Sequence, residues 1–346
     1  MTRLALVMIA RDEADRIGRA LASAAPHVDL MIVLDTGSVD GTREIARACG
    51  AQVHEFAWCD DFSAARNASL DLSPADWNLV LDADEWIEGG ADSLRDLDPG
   101  AMGWVQRDNH LEQTDGGGVA QTWIPRVLPR GVRYEGRIHE QPVGLDRGVR
   151  LPLRLGHDGF TAQSLARKGD RNEVLLMRDL QDAPEDPYLW FQLAKEHQAR
   201  GHPPQAALCF TEALRLAPAD APWRHGLVVR AVTALKEAGQ LDEALALVAV
   251  ERDAWAGSPD FHFAAGDLYL ECASAAPERA LAEFLPAAEA SWKRCLELGD
   301  QPHLDGAVRG RGGYMAAHNL AVVYETLGQA EPAAHYRRLA ETGRGA

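Results

Sequence analysis

Residues 79–88 read LVLDADEWIE: an apolar run passes directly into Asp82, Asp84 and Glu85. A short unbroken apolar run has strand character, and this one delivers three carboxylates to its carboxyl end. Carboxylates so close repel, and each raises the pKa of the others unless a cation or a hydrogen-bond donor joins them. The stretch asks for a partner, and its surroundings decide which fold supplies one.

Working outward, apolar runs lie at 4–9 (LALVMI), 30–34 (LMIVL) and 51–56 (AQVHEF), and the run at 77–82 (WNLVLD) leads into the acidic cluster. Helical patterns at roughly 13–24, 41–48 and 62–71 alternate with them, opened by the capping types Asp12, Asp40 and Ser63. Such alternation predicts an α/β domain, a parallel sheet with crossover helices. Ligands of these sheets bind beyond the carboxyl ends of the strands, which is where DADE falls. From about 102 to 160 the texture changes to glycine, short β-like runs and clustered arginines, Arg126, Arg130, Arg133 and Arg137. This region is expected to complete the same domain with mixed strands and loops.

Beyond about residue 165 the period becomes helical. Trp190, Leu193, Ala194, His197, Gly201, Ala206, Phe210, Ala213 and Pro218 fall at the spacing of a tetratricopeptide repeat, a helix-turn-helix unit of about 34 residues. Val232, Leu235, Gly239 and Ala244 repeat those offsets, as do Leu320, Ala321, Tyr324, Gly328, Ala333 and Ala340. Gly266, Tyr269, Ala280, Phe284 and Ala287 form a degenerate copy with a longer turn. The small residues let paired helices approach while the aromatics fill the space between them, so Trp190, Phe210 and Tyr324 are read as core. The expected domains are 1–165 and 166–346.

Acidic residues outnumber basic ones 52 to 35 in 346 residues, a formal charge of -17 that argues against nonspecific nucleic-acid or anionic-lipid binding. Five scattered cysteines without CxxC spacing argue against a zinc cluster or disulfide framework and fit a reducing cytoplasm. No apolar stretch approaches the length of a membrane span, and the first run is too short for a signal peptide.

For the acidic turn, the chemistry with the best grounding is a divalent cation. Mg²⁺ or Mn²⁺ takes oxygen ligands, one or two carboxylates plus the phosphates of a substrate. It would cancel the repulsion and stabilise charge on a diphosphate leaving group. Acidic turns after strands are also common and usually solvated, so Asp-x-Asp alone does not decide.

Further motifs do. IVLDTGSVDGT (32–42), DFSAARNASL (61–70), ARDE after the first strand, WIPRVLP (123–129), GRIHEQ (136–141) and HDGF followed by RKGDRN (157–172) occur in order. Together they resemble the family-two glycosyltransferases of GT-A fold. More narrowly, the chain is similar to the bacterial branch in which that domain precedes tetratricopeptide repeats, the branch of the sublancin-type S-glycosyltransferases. The resemblance covers nearly the whole chain. It implies a nucleotide-sugar donor, with a UDP-sugar favoured, a divalent metal, and transfer, commonly inverting, to a peptide, protein or glycan acceptor. It also implies a possible homodimer through the repeats.

By that resemblance Asp35 meets uracil or ribose, in a pocket lined by Ala10, Arg11, Glu13 and Gly37. Arg66 and Asn67 face the donor, though a helix-surface role is nearly as good for Asn67. Asp84 is the implied metal ligand; Asp82 reaches ribose or metal, and Glu85 lies behind the metal or near the sugar. His139 completes the metal or diphosphate site, while His157 is left open. Inverting transfer needs a general base, for which Glu140 leads and Asp108 and Glu85 are substitutes. A thiol acceptor would ask less of any base. Arg126, with Lys168 and Arg171, is a cationic contact for the diphosphate; Lys168, Arg171 and Asn172 alternatively join the two domains.

Two other classes compete: another Asp-x-Asp nucleotide-dependent transferase, and a noncatalytic repeat scaffold with a degenerate transferase domain. The first usually carries a Gly-rich, cationic loop after the first strand, where this chain has ARDEADR, and no Walker motif or GxGxxG follows any expected strand. Intact Asp35, Asp82 and Asp84 count against the second.

Overall fold

The computed structural model describes residues 3–95, 97–98, 100–110, 119–145, 147–158 and 171–344. The chain divides into two compact units, one comprising 1–117 and 122–179, the other 118–121 and 180–346.

The first unit is built on one mixed sheet. Strands β1 (Leu4–Ala10), β2 (Leu30–Asp35), β3 (Gln52–Glu55) and β4 (Trp77–Val80) are joined by helices α1 (Ile17–Ala24), α2 (Thr42–Ala48) and α3 (Phe62–Asp71). They lie parallel in the order β3-β2-β1-β4, as the alternating pattern predicts. After them come β5 (Glu85–Gly89), β6 (Met102–His110), β7 (Val119–Pro129) and β10 (Gly148–His157), which extend the same sheet in the order β4-β7-β6-β10-β5. A separate two-stranded ribbon pairs β8 (Arg133–Glu135) with β9 (Gln141–Val143).

β1 is buried on both faces, so its apolar run shows no alternation. Leu4, Leu6 and Met8 pack with Ile17 and Leu21 of α1 on one side, while Val7 joins Ile32, Leu70 and Val80 on the other. Each fully buried residue of this kind contributes roughly 2 kcal/mol. Two helix starts differ from the capping expected. Asp61, not Ser63, caps α3, its side chain accepting the Ala64 N–H. Asp12 takes a left-handed backbone (φ 55°) and accepts the Val39 N–H, and α1 begins only at Ile17.

In the second unit the repeats appear as helix pairs: Pro187–Ala199 with Pro203–Leu216, Arg224–Glu237 with Leu241–Glu251, Pro259–Ala275 with Leu285–Leu298, and Tyr314–Thr326 with Ala330–Arg344. Gly201, Gly239 and Gly328 occupy the same turn in three pairs, at φ 69°, 73° and 69°, a region that penalises any Cβ. In the degenerate third pair the turn is longer, and a π-helical segment, Ala280–Phe284, leads into its second helix. Gly266 there leaves room for Trp292, since a Cβ would sit 2.6 Å from the indole nitrogen. Phe210 and Tyr324 are buried as read, whereas Trp190 is half-buried and donates its indole N–H to the Pro184 carbonyl.

Candidate active site

The strand order creates the site. From β1 the chain moves outward to β2 and β3, then returns to β4 on the other side of β1. The loops after β1 and β4 therefore part, opening a crevice at the carboxyl edge.

One wall is the laced pair of loops after β1 and β2. Thr36 N–H donates to the Ala10 carbonyl at 2.9 Å, Asp12 N–H to Ser38 Oγ at 2.9 Å and Glu13 N–H to Thr42 Oγ1 at 2.7 Å. Ala14 N–H donates to Asp40, whose carboxyl is held below its usual range because hydrogen bonds from Thr42 and Ala14 outweigh the opposing effect of burial. Asp35 ends β2 almost fully buried. Its Oδ1 accepts the N–H groups of Gly37 (3.1 Å) and Ser38 (3.0 Å), while its buried Oδ2 has no hydrogen-bond donor among the described residues. A buried acceptor without a donor is costly, and it fits a ligand that brings an N–H or O–H. Ala10, Glu13, Asp35 and Gly37 thus stand on one wall, with Arg11 in the same loop.

The floor answers the question raised by DADE. Asp82 Oδ1 accepts from Arg66 and Oδ2 from Arg126, each at 2.6 Å. Glu85, with no exposed surface, takes Arg126 at 2.7 Å and Arg107 at 3.1 Å on Oε1, and the Asp82 N–H on Oε2. Arg66 is shared with Glu140. Two of the three carboxylates are therefore partnered by guanidiniums of α3, β6 and β7. Burial pushes the Asp82 carboxyl up, but Arg126 and Arg66 outweigh it and hold the group far below the ordinary carboxylate range. The same attractions lift Arg66 and Arg126 against their burial.

This geometry gives several candidate residues definite places. Glu85 is a buried counter-ion, out of reach of an acceptor. Arg126 lies beneath the turn as a partner of Asp82 and Glu85. Asn67 bridges α3 to β8, its amide donating to the Tyr134 carbonyl and accepting the Tyr134 N–H. Asp108 is buried on β6, and strand alternation sets it on the face opposite Arg107 and Asn109, whose contacts define the site. His139 lies in the turn between β8 and β9, with a left-handed backbone (φ 52°). Arg171 has its guanidinium 5.1 Å from the centre of the Phe62 ring. Lys168 lies outside the described residues.

Asp84 differs from its neighbours in what it faces. Its Oδ2 is 3.5 Å from His157 Nε2 and 4.0 Å from Arg16. Register places the histidine there: β10 pairs with β5 so that His157 opposes Glu85, and with β6 so that it opposes Asn109. His157 Nδ1 is 2.9 Å from Asn109 Oδ1, and Asn109 Nδ2 donates to Thr122 Oγ1 at 3.3 Å. An amide oxygen only accepts, so Nδ1 carries a proton and donates to it, and the ring turns Nε2 toward Asp84. Asn109 and Arg107 are the functional candidates that sequence reasoning missed. Their only signal was the unbroken polar run RDNH (107–110) at the end of an apolar strand.

Comparison with known proteins assigns the first unit to a family. Residues 5–93 match the family model "Glycosyl transferase family 2". The chain carries a family 2 glycosyltransferase domain. In this glycosyltransferase domain the crevice opens at the carboxyl edge of the parallel strands, and an all-α repeat unit follows. A TPR repeat-containing protein of Synechococcus elongatus is 31% identical over 264 residues, which cover 71% of this chain and 64% of that protein. The SPbeta prophage-derived glycosyltransferase SunS of Bacillus subtilis is 25% identical over 202 residues, covering 55% of this chain and 48% of SunS. The chain thus spans less than two thirds of either relative. A Mycobacterium tuberculosis glucosyl-3-phosphoglycerate synthase, solved with Mn²⁺, UDP and glucosyl-3-phosphoglycerate, aligns over 33% of this chain and 46% of its own. Identity there is 23% with a TM-score of 0.26, too loose to add to the assignment.

Proposed function

We propose that this protein transfers a sugar from a nucleotide-diphosphate donor, a UDP-sugar, to a peptide, protein or glycan acceptor, using Mg²⁺ or Mn²⁺ held at Asp84 and His157. The observation that carries the metal reading is the Asn109–His157–Asp84 chain. An imidazole nitrogen and a carboxylate facing each other at 3.5 Å suit a shared cation, and the Asn109 oxygen behind the ring would orient the histidine as a hydrogen-bond acceptor behind a ligating imidazole does. One carboxylate and one imidazole leave the remaining positions to phosphate oxygens and water, as Mg²⁺ or Mn²⁺ prefers. Such an ion would stabilise the charge growing on the diphosphate.

The protein's own groups do the rest. Asp35 receives the base or ribose through Oδ2. The arginines under DADE keep Asp82 ionised and fixed, so the turn presents Asp84 without collapsing under its own charge. In the proposed inverting step the acceptor's lone pair forms a bond to the anomeric carbon as the bond to the diphosphate oxygen breaks, and Glu140, steadied by Arg66, takes the acceptor's proton.

Thermal melting with UDP and Mn²⁺ tests this reading. Stabilisation should require both together, and Asp84→Ala and His157→Ala should each abolish the metal-dependent part. A full metal-dependent shift in either variant would refute the assignment. Nucleotide-sugar turnover assayed with Glu140→Gln and Asp108→Asn separates the candidate bases; Glu140→Gln should lose at least about 100-fold.

A further inference from the structure

Beside the proposed metal ligands stands a cation of the protein's own, to which the transfer reaction so far gives no task. Arg16 immediately precedes α1, and its side chain is largely buried. Its Nη1 is 4.0 Å from Asp84 Oδ2, the same oxygen that lies 3.5 Å from His157 Nε2. On its other side that nitrogen is 3.9 Å from Asp158 Oδ1. Both separations suit an ion pair and are too long for a hydrogen bond, so the nitrogen hangs between two carboxylates and is bonded to neither.

Asp158 is built to receive it. Its backbone N–H reaches the Asp84 carbonyl at 3.4 Å, which ties the end of β10 to the DADE turn. Its Oδ2 takes Arg19 at 2.5 Å, and Arg19 is in turn held 3.7 Å over the Trp86 ring. Its buried Oδ1 accepts no hydrogen bond among the described residues. A buried acceptor of this kind is costly until a donor arrives, and about 1 Å of travel by Arg16 supplies one.

A divalent ion shared by Asp84 and His157 would meet a guanidinium already drawn to the same oxygen. Like charges repel far more strongly in a crevice poor in water than in solution. A diphosphate reverses the balance, because its oxygens attract the ion and the arginine together. We infer that Arg16 is a positioning residue that makes metal binding conditional on the diphosphate: it stands against Asp84 until donor arrives, and shifts onto Asp158 Oδ1 as ion and diphosphate enter. The inference rests on the Asp84 and His157 metal reading and adds to it a coupling between the two ligands.

The test is a titration of the full chain with Mn²⁺, with and without UDP, followed by the EPR signal of the free ion and corrected for the Mn²⁺–UDP complex that forms in buffer. Wild type should bind Mn²⁺ at least about tenfold more tightly with UDP than without it, and by linkage Mn²⁺ should tighten UDP by the same factor. Arg16→Gln removes the charge and keeps a polar side chain; it should bind Mn²⁺ alone about tenfold more tightly than wild type, so that the coupling shrinks. Arg16→Lys keeps the charge and should keep most of the coupling, which a merely structural role for the guanidinium does not predict. Equal Mn²⁺ affinity of wild type with and without UDP overturns the inference and needs no variant, so it decides the matter if Arg16→Gln does not fold. Unchanged or weaker binding of Mn²⁺ alone by folded Arg16→Gln overturns it too. Failure of the metal reading looks different: Asp84→Ala and His157→Ala would then bind Mn²⁺ as wild type does, and the inference would fall with that reading.

Discussion

Two charge clusters, one in each unit, are built differently. Beneath the DADE turn three carboxylates are matched by guanidiniums: Asp82 by Arg66 and Arg126, Glu85 by Arg126 and Arg107, Glu140 by Arg66. In the repeats Arg230 has a neutral partner, Arg311 keeps a nitrogen unsatisfied, and Asp267 and Asp305 are pushed toward their neutral forms. A matched network is a scaffold, costly to break and fixed in geometry. A less matched cluster is cheaper to alter.

The largest expected effect follows from the matched side. Arg126→Met leaves Glu85 fully buried with one arginine and strips Asp82 of another, an uncompensated charge that costs about 3–5 kcal/mol. Chemical denaturation should show this loss, and adding Glu85→Gln should restore part of it. Arg230→Gln should change stability by no more than about 0.5 kcal/mol. If the two substitutions cost the same, the contrast between the two clusters fails.

Glycine substitutions sharpen the contrast within the repeats. Gly266→Ala drives a methyl to 2.6 Å from the Trp292 nitrogen, in a fully buried contact, and should cost about 1–3 kcal/mol. Gly239→Ala meets open space but keeps a φ of 73°, so its cost should be the backbone penalty alone, about 1–2 kcal/mol. Thermal unfolding distinguishes them when paired with Trp292→Phe, which removes the indole nitrogen. That change should lessen the first penalty and leave the second untouched.

What was legible in the sequence follows the same division. The parallel strands and the repeats were readable because their information is local: an apolar run bounded by polar residues, or a glycine recurring at a fixed offset. The order of β5, β6, β7 and β10 was not, because long-range register decides it. The sequence shows Arg66, Arg107 and Arg126 as isolated residues up to 60 positions apart, and nothing local says that they converge under one turn. His139 and His157 look alike for the same reason. The β6–β10 register, which sets His157 opposite Asn109, is what brings one of them to Asp84. The cation that DADE calls for was anticipated as a metal. For Asp82 and Glu85 the structure supplies arginine, and Asp84 alone of the three faces a histidine.

The smallest effect is also the one that sets the units directly against each other. Asp82 has a folded pKa below its unfolded value, so its stabilising contribution is complete above the ordinary carboxylate range and lost only as pH falls well below about 4. Asp267 and Asp305 have folded pKa values above their unfolded ones. Each binds its proton more readily in the native state, so the repeats gain stability as pH falls toward about 4 and lose it as pH rises through the folded values. Segment-resolved amide exchange, corrected for the intrinsic pH dependence of the rate, reads both units in one sample. On acidifying from about pH 7 to about pH 4, protection in the helix 259–275 should rise relative to that at 79–88. Parallel loss of protection in both segments would mean that the acids of the repeats are as well matched as those beneath DADE.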